Sequence, residues 1–118
     1  MRAAIYKGQK KFTIEERSEP VPSNDEVRLK IAFCGICGTD MHVFHGMMDK
    51  RVTTNRVIGH ECSGIVDEIG SNVSNFSVGD LVVVRPLVAV GDCYACSSGN
   101  DHICYNLKFL GLDCDGAF

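Results

Sequence analysis

Residues 59–73 read Gly59-His60-Glu61-Cys62-Ser63-Gly64-Ile65-Val66-Asp67-Glu68-Ile69-Gly70-Ser71-Asn72-Val73. From Ser63 onward the run is rich in β-branched residues and ends at Gly70 with a polar turn, which predicts a strand. Just ahead of it stand His60 and Glu61, two side chains able to bind metal. Neighbours in a strand point to opposite faces, so the two can share one ion only at a strand end or a bend.

Working outward, the same kind of element recurs. Val27-Arg28-Leu29-Lys30-Ile31-Ala32-Phe33 alternates apolar and basic residues, then turns fully apolar, predicting a strand that is half exposed and then buried. Val78-Gly79-Asp80 reads as a turn into Leu81-Val82-Val83-Val84, a buried strand. Ala3–Tyr6 and Lys11–Glu15 are short strands, and Glu19-Pro20-Val21-Pro22 is a loop, since prolines interrupt a ladder. Helix signals are sparse: one short helix is expected, N-capped near Thr39 or Asp40 and ended by Gly46. Many short strands with Gly and Pro turns point to a mainly β barrel or sandwich. No Gly-x-Gly-x-x-Gly follows a strand and no βα alternation occurs, so no dinucleotide-binding unit is expected in residues 1–118. Asp113–Phe118 reads as a strand still continuing, as at the end of a fragment.

The 118 residues suffice for one domain, with 45% hydrophobic and 23% charged residues. A net charge of −3 and no Lys/Arg cluster exclude a nucleic-acid-binding face. No run approaches the ~18 apolar residues of a membrane span. The opening Met-Arg-Ala-Ala-Ile-Tyr-Lys is not a signal peptide, so a cytoplasmic location is expected. There thiols stay reduced, and seven cysteines, an odd number, suit metal binding or thiol chemistry better than a disulfide framework.

Two clusters carry that chemistry. Cys37, just beyond the Val27–Phe33 strand, joins His60 and Glu61 in offering a thiolate, an imidazole and a carboxylate, a set suited to zinc with one position left open. Taken singly, Cys37 also fits a small buried hydrophobe, His60 a core histidine and Glu61 a solvated charge. The second cluster is Cys93-x-x-Cys96 with Cys104, in the glycine-bounded loop Gly91–Gly99. Cys34-Gly35-Ile36-Cys37 has the spacing of a thiol–disulfide motif, though without the βαβ context such a motif needs.

The pattern Gly59-His60-Glu61-x-x-Gly64-x-x-x-x-x-Gly70-x-x-Val73 resembles the signature of zinc-containing medium-chain alcohol dehydrogenases. Gly35-Ile36-Cys37-Gly38-Thr39-Asp40 is similar to that family's first zinc-ligand loop, and Val78-Gly79-Asp80 and Asp115–Phe118 also match family runs. The resemblance implies a GroES-like, partly open β-barrel with a few short helices and a zinc-binding lobe, residues 1–118 forming the catalytic domain without its Rossmann partner. It implies that Cys37 and His60 bind a catalytic zinc, with Glu61 within reach. Thr39 is similar to the hydroxyl residue that bonds the substrate oxygen, His42 to the outlet of a proton relay, and Asp40 to the carboxylate that orients His60. Thr39 and Asp40 also fit a plain helix cap, and His42 a solvated helix histidine. His45 has no family role and reads as a surface residue.

Cys93, Cys96 and Cys104 resemble a structural zinc lobe whose fourth cysteine would stand at position 90, where this chain has Val90. Occupancy by zinc is favoured, with water, Asp92 or a rearranged neighbour completing it; a metal-free lobe is the other outcome. The implied activity is oxidation of a secondary alcohol or polyol to a ketone by zinc-assisted hydride transfer to NAD, favoured over NADP. The full-length protein is expected to be a homodimer or homotetramer, and the 118-residue chain alone inactive. A co-chaperonin-like binding module and a thiol–disulfide oxidoreductase through Cys34 and Cys37 are the competing readings.

Overall fold

The pairing of β3 (Val27–Gly35) with β5 (Glu61–Ile69) organises the computed structural model, which describes residues 1–118. The strands run antiparallel, with Val27 opposite Ile69 at one end and Gly35 opposite Glu61 at the other. Register shifts at Arg28/Leu29 and Ile31/Phe33 bend the pair, as bulges do. β6 (Leu81–Val83) flanks β5 on its other side, so the order is β3-β5-β6. Gly64 sits in the middle strand, where a Cβ would lie 2.5 Å from the backbone oxygen of Lys30. At the end of β5, a Cβ on Gly70 would meet the backbone oxygen of Ser23 at 2.1 Å. Two of the motif glycines are thus demanded by close backbone approach.

A second sheet has the order β2-β1-β4, from β1 (Arg2–Gly8), β2 (Lys11–Glu16) and β4 (Arg56–Val57). Gln9 and Lys10 both take positive φ in the turn between β1 and β2, the backbone of a two-residue hairpin. The core sits beside this sheet: Tyr6, Val43, Val52, Ile58 and Leu112 form one buried cluster, and Ala3, Ile5 and Val57 another. Val43 lies on α1 (Gly38–Phe44) and is fully buried, which anchors that helix by ~1.5–3 kcal/mol. Tyr6 donates a hydrogen bond to Asp49 Oδ1 at 2.8 Å. Burial, with Asp49 adding to it, pushes the phenol up to about 12.

A third, two-stranded sheet pairs β7 (Leu87–Val88) with β8 (Lys108–Phe109). Between them the chain makes a lobe with α2 (Tyr94–Ser97) and a 3₁₀ turn at Asp101–Ile103. The two larger sheets leave a cavity of about 1260 Å³, lined by Ala3 and Val57 on one side and by Leu29, Ile31 and Val83 on the other. The architecture is mainly β with open sheets, as expected for a partly open barrel.

Several elements differ from their sequence reading. β3 is half-buried at Val27–Leu29 and exposed from Lys30 to Phe33, the reverse of the expected order. β6 is an exposed strand, with Leu81 and Val83 each 83% exposed. Both strands lie at the edges of their sheet, where an apolar run does not imply cover. The segment 115–118 is not a strand. It is held instead by backbone bonds from Gly116 to Val57, Ala117 to Gly59 and Phe118 to Ile58, and Ala4 donates to Phe118. The Glu19–Pro22 loop and the early strands stand where the sequence places them.

Gly64→Ala drives a methyl group into the Lys30 carbonyl and is expected to cost about 1–3 kcal/mol in equilibrium urea unfolding. Gly38→Ala, where a Cβ meets nothing within 4 Å, should shift stability by no more than ~0.5 kcal/mol. Equal losses in the two variants would show that the close approach is not what requires glycine at position 64.

Candidate metal centre

The β3–β5 register decides which side chains meet. Cys37 lies two residues beyond the end of β3, and His60 immediately precedes β5, so pairing Gly35 with Glu61 brings them together. Glu61 is the first residue of β5, the strand end that the His60–Glu61 pair requires. Gly59 turns the chain there at φ +91, and a Cβ would lie 2.4 Å from the Phe118 ring. Position 59 therefore needs glycine both for its backbone and for its neighbour.

Cys37 is the N-cap of α1, in place of the expected Thr39 or Asp40. The reason is local: Asp40, three residues on, reaches back so that its Oδ2 accepts the Cys37 backbone N–H at 2.8 Å. The helix ends at His45 before Gly46, as the sequence predicts, and His45 Nδ1 lies 2.7 Å from the Met41 carbonyl oxygen. His45 is an exposed helix-end residue, in line with its surface reading.

Cys37 Sγ lies 3.2 Å from His60 Nε2. The thiol, the imidazole and the Glu61 carboxylate all place a ligand atom within 4.8 Å of one another. His60 is buried, Cys37 half-buried and Glu61 exposed, so the group is sheltered on one side and open on the other. A tetrahedral zinc, with sulfur at about 2.3 Å and nitrogen at about 2.0 Å, holds those two atoms roughly 3.5 Å apart, a few tenths from what is seen.

Behind His60 stands the buried Asp40, its Oδ1 at 3.7 Å from His60 Nδ1. That is ion-pair distance but too long for a hydrogen bond. Both atoms are buried and have no other partner. A metal on Nε2 requires the proton to sit on Nδ1, facing the waiting carboxylate oxygen. The unpartnered pair and the donor set together fit a zinc ion.

Thr39 and His42 stand three residues apart on α1, hence on neighbouring positions of one face. Thr39 is half-buried and His42 exposed. The ring of Phe109 packs edge-on against His60 with centroids 4.8 Å apart, a contact sequence reasoning did not anticipate. Phe109 is itself held, its N–H donating to Asp113 Oδ2 at 2.8 Å, while Arg51 grips the same carboxylate with two bonds. Nothing in residue type or spacing signals this link, which joins residues far apart in the chain.

The second cluster also assembles. Cys93 Sγ lies 3.5 Å from Cys96 Sγ and 3.8 Å from Cys104 Sγ, near the roughly 3.8 Å that a tetrahedral zinc imposes on two sulfurs. Backbone N–H groups, first that of Tyr105, pull the Cys93 thiol down to about 7. No carboxylate or imidazole joins the three sulfurs, Asp92 included, and Val90 is 53% exposed. The expected glycine-rich loop contains the short helix α2.

Cys34 pairs with Cys62 across β3 and β5. Burial first, and then Cys62, pushes its thiol up to about 11. An attacking thiol is favoured by the opposite shift, so this burial weighs against Cys34 as the nucleophile of a Cys34/Cys37 redox pair.

The profile described as Alcohol dehydrogenase GroES-like domain matches residues 23–118. The chain belongs to this family. It is an N-terminal domain of the medium-chain zinc alcohol dehydrogenase type. Over its whole length it is 52% identical to 2-dehydro-3-deoxy-L-galactonate 5-dehydrogenase of Pseudoalteromonas atlantica, covering 35% of that protein. It is 38% identical to sorbitol dehydrogenase of Bacillus subtilis, also over the whole chain and 34% of that protein. An alcohol dehydrogenase of Escherichia coli CFT073 solved with NADH superposes on the whole chain with a TM-score of 0.91 at 40% identity, over 34% of its length. Galactitol-1-phosphate dehydrogenase of Escherichia coli, 31% identical, gives the same TM-score, again over all of this chain and 34% of that one. The chain thus spans about a third of the length of the curated relatives it matches. No helix is long and apolar enough to cross a membrane.

Asp40→Ala removes the acceptor for the Cys37 N–H and the partner facing His60. It is expected to cost about 1–3 kcal/mol in urea unfolding of metal-free protein. Asp40→Asn keeps an acceptor oxygen and should cost less; an asparagine variant weaker than the alanine one would refute the capping role.

Proposed function

We propose that this domain supplies the zinc site, the proton path and part of the substrate pocket of an NAD(P)-dependent dehydrogenase that oxidises a secondary alcohol to a ketone. The observation that carries the reading is the convergence of Cys37, His60 and Glu61 at one strand end, with the buried Asp40 Oδ1 unpartnered behind His60. When bound, zinc supplies Lewis-acid polarisation of the substrate oxygen and the nicotinamide accepts the hydride.

The chain's own residues do the rest. Cys37 and His60 hold the metal, and Asp40 orients His60 and favours its Nδ1–H tautomer. Glu61, exposed at the rim, would stand within reach of the metal as a further carboxylate ligand. Thr39 accepts the hydrogen bond of the substrate hydroxyl and passes its proton through water to His42, which stands exposed to solvent. The Cys93/Cys96/Cys104 lobe holds a second zinc.

A nucleotide-binding domain elsewhere in a longer protein completes the site, because hydride transfer needs donor and acceptor carbons held at near-attack distance. The 118 residues alone are therefore inactive. NAD is favoured over NADP, though among similar structures one is solved with NADH and another with NADP. The substrate is a small polar secondary alcohol; the relatives named for a deoxy-galactonate, for sorbitol and for galactitol 1-phosphate all act on such molecules. A cytoplasmic homodimer or homotetramer is the proposed setting.

Elemental analysis of protein purified without chelator should find about two zinc ions per chain, one lost in Cys37→Ala and the other in Cys96→Ala. Zinc content unaffected by Cys37→Ala would reject the first site. In the full-length enzyme, Thr39→Ala is expected to lower kcat by ~10²–10⁴ while zinc content stays unchanged. A wild-type kcat in that variant would remove Thr39 from the proton path.

A further inference from the structure

The three-cysteine lobe differs from the first site in a way that gives it a separate chemistry. Three sulfurs converge, with Cys93 Sγ 3.5 Å from Cys96 Sγ and 3.8 Å from Cys104 Sγ. Four ligands are required to close a tetrahedral zinc site, and no fourth carboxylate, imidazole or thiol comes within reach of these three. Shelter is one-sided: Cys104 is 6% exposed, whereas Cys93 and Cys96 are half-buried. Among the residues next to the cysteines in sequence, Tyr94 and Tyr105 are each 79% exposed, and Val90, three positions before Cys93, is 53% exposed. An aliphatic side chain such as Val90 has no lone pair to donate, and no cover excludes solvent.

We infer that this lobe holds its metal through three thiolates and leaves the fourth coordination position open to a neutral donor from solution. The inference rests on the proposal that the lobe binds zinc. Charge selects the class of ligand. Three thiolates on a dication leave a net charge of −1, so an untethered anion from solution would enter against repulsion, whereas water or an imidazole-type nitrogen adds no charge. Zinc accepts nitrogen as readily as sulfur, so a nitrogen donor displaces water. The lobe is then a ligand-binding metal site rather than a closed structural one.

The test uses cobalt(II), whose visible bands report the ligands around it, in protein carrying Cys37→Ala so that the first site does not contribute. Titration with imidazole should shift the bands saturably, with one imidazole per cobalt. Adding Val90→Cys should supply a fourth thiolate, abolish the response to imidazole and tighten cobalt binding roughly tenfold or more. In case Cys37→Ala does not fold, wild type and Val90→Cys are compared directly, and the single mutant should take up one imidazole fewer per chain. Bands that ignore imidazole in both backgrounds would mean that a protein group closes the site, overturning the inference while leaving the lobe's metal binding intact. Cobalt retained only when Val90→Cys is present would overturn both the open site and the lobe's occupancy, and would leave the first site's reading standing.

Discussion

The antiparallel pairing of β3 with β5 is the constraint on which the site depends. Because Gly35 lies opposite Glu61, the chain leaving β3 and the chain entering β5 emerge at the same end of the sheet. A slip of one residue would turn every side chain of β5 to the other face and carry Glu61 away from Cys37. Gly64 defends the register from within, since the close approach of Lys30 leaves no room for a side chain there. The chemistry of the first cluster is thus written in backbone hydrogen bonds before any ligand contributes.

Around that pairing, the rest of the structure acts as support. The segment 115–118 threads past residues 57–59, bonding to Val57, Ile58 and Gly59, and so fixes the turn that presents His60. Phe118 packs against both buried clusters and onto Gly59. From the other side, Arg51 holds Asp113, Asp113 holds Phe109, and Phe109 sets the plane of the His60 ring. Arg51 and the 109–118 stretch, far apart in the chain, together hold one imidazole in place. By contrast, the apolar inner faces around the cavity are only partly covered, which is why β3 and β6 are more exposed than their composition implies.

The two metal-capable clusters show two ways to arrange similar donors. The first mixes donor types and backs its histidine with a buried carboxylate, so imidazole orientation is built in. The second relies on three thiols in a small lobe, with the Cys93 thiolate favoured by backbone N–H groups. Cys34 and Cys62, close in sequence to the first cluster, sit across a strand pair where burial disfavours their thiolates. Equal residue types thus differ in reactivity because of their solvation, which spacing in the sequence does not report.

Local chemistry was legible in the sequence: the Gly-His-Glu pattern, the Cys-x-x-Cys pair, the helix end at Gly46 and the proline loop each depend on residues within a few positions of one another. Those features follow from backbone preference and donor type, which a short window contains. The mainly β class was also legible through turn glycines and strand formers, and its GroES-like form through the resemblance of the Gly-His-Glu pattern to a family signature. Only the tertiary structure decided that Cys37 caps the helix with Asp40 reaching back, that Phe109 braces His60, and that the apolar runs of β3 and β6 are exposed edges. Burial and contact depend on which distant segment covers a residue, and hydrophobicity states a preference for cover without supplying it.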